Sequence, residues 1–155
     1  QKMASVVAKA GVPVILMHMR GTPRTMQLDT AYADLMSEVY GYLYSRLEFA
    51  ASNGIDPQSV IVDPGLGFGK SVEGNFEILS RLREFKSLGA PVLAGPSRKS
   101  FIGRATGAVA PEDRLAGTIA ACALAVANGA SILRVHDVKE ARMAAMVAAA
   151  VAGKS

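Results

Sequence analysis

Four short segments combine acidic, basic or hydroxyl side chains with glycine or with one another, as sites for charged or flat ligands do. Their key sequences are His18-Met19-Arg20, Asp63-Pro64-Gly65, Ser97-Arg98-Lys99-Ser100 and Arg134-Val135-His136-Asp137. Each closely follows a short apolar run. Polar groups in this position are candidates for binding or catalysis, because the apolar runs themselves suit a rigid, buried scaffold.

The glycine-rich segment that begins at Asp63 does not match the two common phosphate-binding motifs. A Walker loop requires Gly six residues before Lys70, where the sequence has Pro64, and a dinucleotide fingerprint starting at Gly65 requires Gly or Ala at position 70. What remains is a carboxylate at a strand end, followed by glycines that permit a tight turn. Asp63 could accept the paired N–H donors of an aminopyrimidine edge, or it could cap the next turn. Phe68 could stack on a flat ligand or pack into the core.

Basic and hydroxyl groups follow the third and fourth apolar runs. Lys99 and Ser100 lie where a helix could begin and could bind an anion, and Lys99 could also donate to a ring carbonyl or to a leaving group. A solvated turn is the alternative. Arg134 and His136 are two residues apart, hence on one face of a strand, and suit a phosphate or pyrophosphate unless His136 is structural. His18, between two methionines, is assigned to the wall of a pocket or to the core.

The composition argues against several function classes. The 17 basic and 13 acidic residues give a net charge of +4 without a basic run, which predicts no nucleic-acid partner. The longest apolar runs, residues 119–127 and 144–152, are shorter than the roughly 20 residues of a membrane-spanning helix. Spacings typical of Ser/His/Asp or zinc sites are absent from the sequence. The single Cys122 lies in an apolar run, so we expect a buried thiol in a reducing, cytoplasmic setting.

An alternation of apolar strands and helical patterns must position these groups. Strands are predicted at residues 12–18, 60–63, 91–95 and 132–136, and helices at 30–53, 73–87, 111–128 and 139–152, after the end of an earlier helix at 2–10. The strands are nearly continuous apolar runs, as in parallel sheets that are covered on both faces. The sequence therefore predicts one α/β domain over residues 1–155, in the order α(βα)₄.

Two α/β architectures fit this order: half of a (β/α)₈ TIM barrel, or a four-stranded doubly wound sheet. Every predicted strand ends in charged or glycine-rich sequence. In a barrel all such ends converge on one mouth, whereas ligands of an open sheet gather at its switch point, so the barrel is favoured. A closed barrel needs about eight strands. The chain would then carry the last four βα units of a half barrel, and because it opens within a helical pattern we expect further residues upstream.

In order and at matching spacing, four segments resemble the dihydropteroate synthases, which are pterin-binding enzymes of folate biosynthesis. The segments are Leu16-Met17-His18-Met19-Arg20-Gly21-Thr22-Pro23-Arg24-Thr25-Met26-Gln27, Ile61-Val62-Asp63-Pro64-Gly65-Leu66-Gly67-Phe68-Gly69-Lys70, Ser97-Arg98-Lys99-Ser100 and Arg134-Val135-His136-Asp137-Val138. The resemblance spans essentially the whole chain and corresponds to the latter half of such an enzyme. It implies a (β/α)₈ barrel that condenses 6-hydroxymethyl-7,8-dihydropterin pyrophosphate with p-aminobenzoate, giving 7,8-dihydropteroate and pyrophosphate.

The resemblance also implies roles for individual residues. Asp63 would hold the aminopyrimidine edge of the pterin, and Lys99 would bond its ring carbonyl side. Phe68 and Ser100 would flank the p-aminobenzoate site. The implied pterin-binding set is Met17, Asp63, Phe68, Gly95 and Lys99, and the implied catalytic set is Asp63, Lys99, Arg134 and His136.

For the pyrophosphate, the resemblance implies the pair Arg134 and His136, acting with Mg²⁺. The family's Asn that approaches the magnesium, a second pterin-binding Asp and Asn, and two mobile loops over the arylamine have no counterpart in this sequence. We therefore expect no metal ligand within the chain. We also expect the isolated chain to be inactive or nearly so, although the family as a whole is the target of sulfonamides.

The expected partners are the two small-molecule substrates and, by the resemblance to bacterial relatives, a second copy of the chain. A homodimer would use the C-terminal helices, whose alanine-rich faces at residues 119–127 and 144–152 also suit ordinary core packing. Two other functions remain open. One is a methyltetrahydrofolate-binding barrel of a corrinoid methyltransferase, which would keep an Asp at the second strand end without needing the two anion sites. The other is a non-catalytic half barrel.

Overall fold

A computed structural model describes residues 2–153, and it confirms the predicted alternation of strands and helices. The helices are α1 (Lys2–Ala10), α2 (Leu35–Ser52), α3 (Val72–Ser80), α4 (Ser100–Thr106), α5 (Leu115–Ala127) and α6 (Val138–Val151). The strands are β1 (Val14–Met17), β2 (Val60–Asp63), β3 (Leu93–Ala94) and β4 (Ile132–Leu133). Short 3₁₀ helices cover Pro57–Ser59, Leu82–Leu88 and Pro111–Arg114.

The four strands follow one another in parallel. β1 pairs with β2 from Val14↔Val60 to Met17↔Asp63, and β3 pairs with β4. A parallel bridge between Val62 and Val92 joins the two pairs in the order β1-β2-β3-β4. Because the strands are parallel, their carboxyl ends lie along the same edge, which brings the predicted site segments together.

The strand boundaries differ from the predictions at three of the four strands. β2 matches residues 60–63, whereas β1 starts at Val14, directly after Pro13, which has no N–H to give to a neighbouring strand. The predicted strands at 91–95 and 132–136 shorten to two residues each. Pairing nevertheless continues beyond β4, since the Arg134 N–H donates to the Ala94 carbonyl over 3.0 Å. This bond fixes the start of the segment that carries Arg134 and His136.

The helix predictions were too long at several ends, and one helix was missed. The helix predicted from residue 30 starts at Leu35, where the side chain of Asp34 caps the Ser37 N–H. The helix predicted at 73–87 ends at Ser80 and continues as a 3₁₀ helix to Leu88. The first turn of the helix predicted at 111–128 is likewise a 3₁₀ helix. The seven-residue α4 was not among the predicted helices.

The core lies between one face of the strands and the helices packed on it. Its largest fully buried side chains include Leu43, Ile78, Leu82 and Phe85, and the predicted buried thiol of Cys122 is confirmed. On the opposite face of the strands, Ile15 is 44% exposed. In residues 2–153 no helix is long and apolar enough to cross a membrane.

Candidate active site

The carboxyl ends of the strands enclose a cavity of about 330 Å³ that contains most of the predicted site residues. Its lining is Met17, Phe68, Gly95, Ser97, Lys99, Arg134, Val135 and His136. A larger cavity of about 670 Å³ lies at the start of α2 and α3, but its lining is remote from these groups. The smaller cavity is therefore the candidate site, because that is where the chemically capable side chains converge.

Asp63 is fully buried and is connected to this cavity through Arg134, which belongs to the lining. Its Oδ1 accepts a hydrogen bond from the Gly65 N–H over 2.7 Å, and its Oδ2 accepts one from an Nη of Arg134 over 2.8 Å. Burial raises the pKa of the Asp63 carboxyl, while the Gly65 N–H and the Arg134 charge oppose that rise. One oxygen thus caps the following turn, as one sequence interpretation held, and the other faces the site.

Arg134 crosses the cavity from β4 to Asp63. Its side chain is 48% exposed, and the same Nη lies 3.8 Å from the Met17 sulfur. A Cβ at Gly95 would lie 3.1 Å from this guanidinium, so a glycine here permits the close approach. Because Arg134 is half exposed, it can leave Asp63 without disturbing the core.

Lys99 and Phe68 face each other across the cavity. The Lys99 Nζ lies 3.8 Å from the centre of the Phe68 ring, a cation–π contact. Burial lowers the pKa of Lys99, and the positive charge of Arg134 lowers it further, against the opposing influence of Asp63. A Cβ at Gly67, where φ is 81°, would lie 2.9 Å from the Lys99 side chain. The glycine is therefore required for this contact on both conformational and steric grounds.

His136 is oriented by Ser97, a buried residue whose role the sequence did not reveal. The His136 N–H donates to the Ser97 Oγ over 3.2 Å, and the same Oγ lies 2.9 Å from the His136 Nδ1. Either atom can be the donor in the second contact, and where the Ser97 hydroxyl donates to Nδ1, the Nε2–H of the ring is left as a donor. The exposed His136 can then donate a hydrogen bond to an anion in the cavity.

An ion pair joins the loop after β3 to the loop after β4. The guanidinium of Arg98 bonds both carboxylate oxygens of Asp137, over 3.1 and 2.6 Å, and holds the pKa of that carboxyl below its usual value. Arg98 has a φ of 57°, and its N–H donates to the buried Thr118 Oγ1 over 3.0 Å. These bonds hold a backbone conformation that is unusual for a residue other than glycine, and they fix the position of Lys99, the next residue.

Ser100 and His18 lie outside the cavity. Ser100 is exposed at the first residue of α4. His18 is 6% exposed, and its ring packs edge-on against Tyr42 with 5.0 Å between ring centres. Burial, followed by the charges of Lys70 and Arg20, lowers the pKa of His18 to about 4. Of the two interpretations of His18, the structure supports the core one.

Lys70 is a buried residue that the sequence interpretation missed as a contributor to the site. It is 3% exposed, and burial lowers its pKa to about 7. Its Nζ lies 2.9 Å from the His18 Nδ1 and donates to the carbonyls of Gly65 and Phe68 over 3.0 and 2.9 Å. The available signal was a basic residue directly after three alternating glycines in a segment that fits no phosphate motif.

The described residues do not assemble a metal site of their own. Among residues 2–153 there is no group of three or more His, Cys, Asp or Glu side chains able to hold an ion. Asp63 bonds Arg134 of the cavity lining, and both of its oxygens already accept hydrogen bonds from the protein. A magnesium ion bound with pyrophosphate would need ligands other than these.

Comparison with known proteins connects this geometry to one family. The family described as "Pterin binding enzyme" matches residues 1–136. The dihydropteroate synthase of Synechocystis sp. is 46% identical over 138 residues, which are 89% of this chain and 48% of the relative; that of Escherichia coli K12 is 44% identical over 86% of this chain and 47% of the relative. The chain spans about half the length of the curated relatives it matches.

Solved structures extend the comparison to the fold. A Yersinia pestis dihydropteroate synthase with a sulfonamide drug complex superposes with a TM-score of 0.94 at 37% identity, covering 99% of this chain and 55% of the other. The Xanthomonas albilineans enzyme in complex with 7,8-dihydropteroate gives a TM-score of 0.87 at 44% identity, covering 96% and 53%. Almost every described element therefore has a counterpart in about half of a larger chain.

Proposed function

This chain belongs to the family of pterin-binding enzymes, and we propose that it is the C-terminal half of a dihydropteroate synthase. That enzyme would condense 6-hydroxymethyl-7,8-dihydropterin pyrophosphate with p-aminobenzoate, releasing 7,8-dihydropteroate and pyrophosphate. The observation that carries the proposal is the cavity at the carboxyl ends of the strands, which is lined by Lys99, Phe68, Arg134 and His136 and in which Arg134 bonds the buried Asp63. The relatives that the chain resembles carry the same enzyme name.

The proposed architecture is half of a (β/α)₈ barrel, with residues 1–155 forming one part of a single barrel domain. β1 and β4 lie at the two ends of the strand order, and Ile15 on the face away from the helices is 44% exposed. Four more strands from an upstream half would pair with both ends and cover that face, because a closed barrel needs about eight strands.

The pterin would bind between Asp63 and Lys99. The Asp63 Oδ2 would accept N–H donors of the aminopyrimidine edge once Arg134 has moved, and Lys99 would donate to the ring carbonyl. Met17 and Gly95 line the same cavity and would contact the flat faces of the ring. Desolvation strengthens these bonds, since Asp63 is fully buried and its interaction with the ring would be shielded from water.

The arylamine would bind beside Phe68. Its ring would contact the Phe68 ring, which is half-buried at the cavity wall. Ser100 would assist with the carboxylate, from the exposed first residue of α4 next to Lys99. This division leaves the pterin on the side of Asp63 and the arylamine on the side of Phe68.

The pyrophosphate would bind to Arg134 and His136. A pterin edge that takes the place of Arg134 at Asp63 would release the guanidinium, which can then bond two phosphate oxygens at once. The Nε2–H of His136, oriented by Ser97, would donate a further bond. Pterin binding and anion binding would thus support each other through one side chain.

The reaction would proceed by loss of pyrophosphate and attack of the amine. The C–O bond of the pterin methylene breaks, its electron pair leaves with the pyrophosphate, and the electron-rich pterin stabilises the cationic methylene carbon. The arylamine nitrogen then forms the new C–N bond and loses a proton to water. Arg134 and His136 stabilise the departing charge, so the contribution of this half is positioning and electrostatics. Mg²⁺, held by residues outside this chain, would supply further neutralisation of the pyrophosphate.

We further propose a cytoplasmic homodimer that uses α5 and α6. The two helices pack on each other, which uses part of their alanine-rich faces within the molecule. On α6, Met143, Met146 and Val147 remain 55–66% exposed and could pack against a second copy. The single thiol of Cys122 is buried and free, as suits a reducing compartment.

The corrinoid methyltransferase alternative fits the site less well. A bound methylated folate would need the buried Asp63, but it has no pyrophosphate to occupy Arg134 and His136. The Ser97 hydroxyl that orients His136, and the glycine that admits Arg134, would have no purpose in such a protein. We therefore retain the synthase as the proposal.

Calorimetry with a non-phosphorylated pterin tests the assignment of the pterin pocket. In the full-length protein that carries this chain, Asp63→Ala and Lys99→Ala should each weaken pterin binding at least tenfold. The melting temperature of each variant should change little. Lys9→Ala, at an exposed position of α1, is the matched control and should bind normally. Unchanged affinity together with lost stability would show that the two residues are only structural.

A further inference from the structure

We propose that Lys70 is a positioning residue, which holds the glycine loop (residues 65–69) in the shape that brings Phe68 to the cavity. The inference rests on the function proposed above and assigns a part of it to a residue that touches neither substrate. Lys70 lies outside the cavity lining, while Phe68, two residues earlier, belongs to it. The effect of Lys70 would therefore reach the ligand through the loop.

The contacts of Lys70 are directed inward at the loop. Its Nζ donates to the carbonyls of Gly65 and Phe68, the two residues at which the loop turns, and lies 2.9 Å from the His18 Nδ1. The pKa of about 4 keeps His18 neutral near pH 7, so its Nδ1 can accept a bond. When the amine is protonated, three acceptors at hydrogen-bond distance match the three N–H donors of its ammonium group. Lys70 then has no donor left for a ligand.

Gly65 forms hydrogen bonds both with Lys70 and with the site residue Asp63. Its N–H donates to the Asp63 Oδ1 over 2.7 Å, while its carbonyl accepts from both the Phe68 N–H over 3.1 Å and the Lys70 Nζ. A Cβ at this position would lie 1.9 Å from the His18 carbonyl oxygen. The backbone of the loop therefore lies directly against the His18 segment, and Lys70 bonds both sides of that contact.

The opposite side of the loop is held by Asn75. This side chain is 2% exposed, and its Oδ1 accepts the Gly67 N–H over 2.6 Å, while its Nδ2 donates to the Ser71 carbonyl over 2.7 Å. Two buried polar side chains thus bond the loop from within. Their bonds are to backbone atoms of the loop, while the Phe68 ring lines the cavity and contacts Lys99.

Burying an amine costs free energy, so the hydrogen bonds of Lys70 must offset that cost. Burying a lysine disfavours its charged form, and the lowered pKa of about 7 expresses that cost. An apolar side chain of the same length would fill the space without it. Without the donor at Lys70, the Phe68 carbonyl would lose that hydrogen bond inside the protein, and the Gly65 carbonyl would keep only its bond from the Phe68 N–H.

The consequence for binding is selective. Asp63 keeps its bond to the Gly65 N–H and stays on a regular strand, whereas Phe68 depends on the loop for its position. Loss of Lys70 should therefore weaken the arylamine, which contacts Phe68, more than the pterin. A residue that merely stabilises the fold would not separate the two substrates in this way.

Steady-state kinetics of Lys70→Met in the full-length enzyme test this selectivity. The KM for p-aminobenzoate should rise at least tenfold, while the Kd for the pterin changes less than threefold. Lys70→Gln, whose amide keeps two N–H donors, should recover part of the loss. Lys9→Met is the matched control and should resemble the unchanged enzyme. An equal loss of both substrates, or no recovery with Gln, would overturn the proposal.

A double-mutant cycle tests whether Lys70 acts through Phe68. In a Phe68→Ala background, Lys70→Met should raise the arylamine KM less than twofold further, because the side chain that it positions is gone. The full tenfold rise in that background would contradict the proposal. A normal arylamine KM in Phe68→Ala alone would instead contradict the assignment of Phe68 to the arylamine site.

Hydrogen exchange separates this inference from the proposed function. In Lys70→Met, the amides of Gly67, Phe68 and Gly69 should exchange at least tenfold faster, while those of α5 are unchanged. This result does not depend on which reaction the enzyme performs. If the protein shows no synthase activity but these amides exchange faster, the proposed function fails and the loop contact stands. Unchanged exchange would overturn the role of Lys70 in either case.

Discussion

At the scale of single residues, Asp63 and Arg134 bind each other and so keep each other's charged group from a ligand. Their 2.8 Å contact satisfies the buried carboxylate before any ligand arrives, and it holds the guanidinium away from an anion. If the edge of a flat ring replaced Arg134 at Asp63, the carboxylate would bind the ring and the guanidinium would become free to bind the charged part of the same ligand. The same residues were predicted from strand-end chemistry, but their mutual contact was not, because 71 residues separate them.

Arg134→Ala should therefore affect two ligands in different ways. Pyrophosphate affinity should fall at least tenfold, because a bidentate donor is lost. Affinity for a non-phosphorylated pterin should change less than threefold, because the Asp63 Oδ2 no longer has to exchange a protein partner for the ring. Calorimetry with each ligand measures the difference. A parallel loss of both affinities would show that Arg134 does not move between the two roles.

His18 makes the stability of the protein sensitive to acid. Burial, Lys70 and Arg20 lower its pKa from 6.5 to about 4, and the rings of Tyr32 and Tyr42 complete its surroundings. A lowered pKa means that the folded protein favours the neutral ring. The stability associated with His18 is therefore fully present above pH 6.5 and is lost as the pH falls from 6.5 through 4. The loss amounts to about 3 kcal/mol at most, from the size of the shift.

Denaturant unfolding of His18→Gln at several pH values tests this effect. The variant should lose less stability than the unchanged protein between pH 6.5 and 4. The same pH slope in His18→Gln and in the unchanged protein would contradict the buried neutral ring.

At the scale of elements, the two loops after β3 and β4 act as one unit. Arg98 and Asp137 join them, and Ser97 and His136 join them again beside the cavity. The sequence predicted that both loops carry site residues, because polar groups end both apolar runs. It could not predict their contacts, since pairs that lie 39 residues apart depend on how the strands pack.

Asp137→Asn should lower the melting temperature, because a bidentate ion pair between the two loops is lost. It should also weaken pterin binding several-fold, since Arg98 directly precedes Lys99. Glu84→Gln is a matched control, because the Arg81–Glu84 pair is bidentate as well but is exposed and remote from the cavity. Thermal unfolding and calorimetry compare the two, and equal effects of both substitutions would contradict the account.

Element boundaries show where local sequence is informative. β2 was predicted correctly because its apolar run ends at Asp63 and Pro64, whereas β3 and β4 are shortened by glycine and by loop contacts that only the folded chain makes. A helix start was expected at Lys99 and Ser100, but the extent of α4 was not predicted, because Gly103 and Gly107, four residues apart, are unfavourable in a helix. In the structure, Gly107 ends that helix with a φ of 77°.

At the scale of the whole molecule, the candidate site lies at the carboxyl ends of four parallel strands. The strand order ends at β1 and β4, and the face that bears Ile15 is partly open. The composition and strand pattern predicted an α/β domain, and the polar strand ends favoured a barrel over an open sheet. Under the half-barrel proposal, the other strands of a closed barrel would have to come from residues other than these 155.

Product formation from pterin pyrophosphate and p-aminobenzoate tests the central claim most directly. The full-length protein should release 7,8-dihydropteroate, the isolated 155-residue chain should release at least a hundredfold less, and Lys99→Met in the full-length protein should lose activity at least a hundredfold without unfolding. Lys9→Met should remain active. Absence of product from the full-length protein, or unchanged turnover by Lys99→Met, would contradict the assignment of this cavity to the synthase reaction.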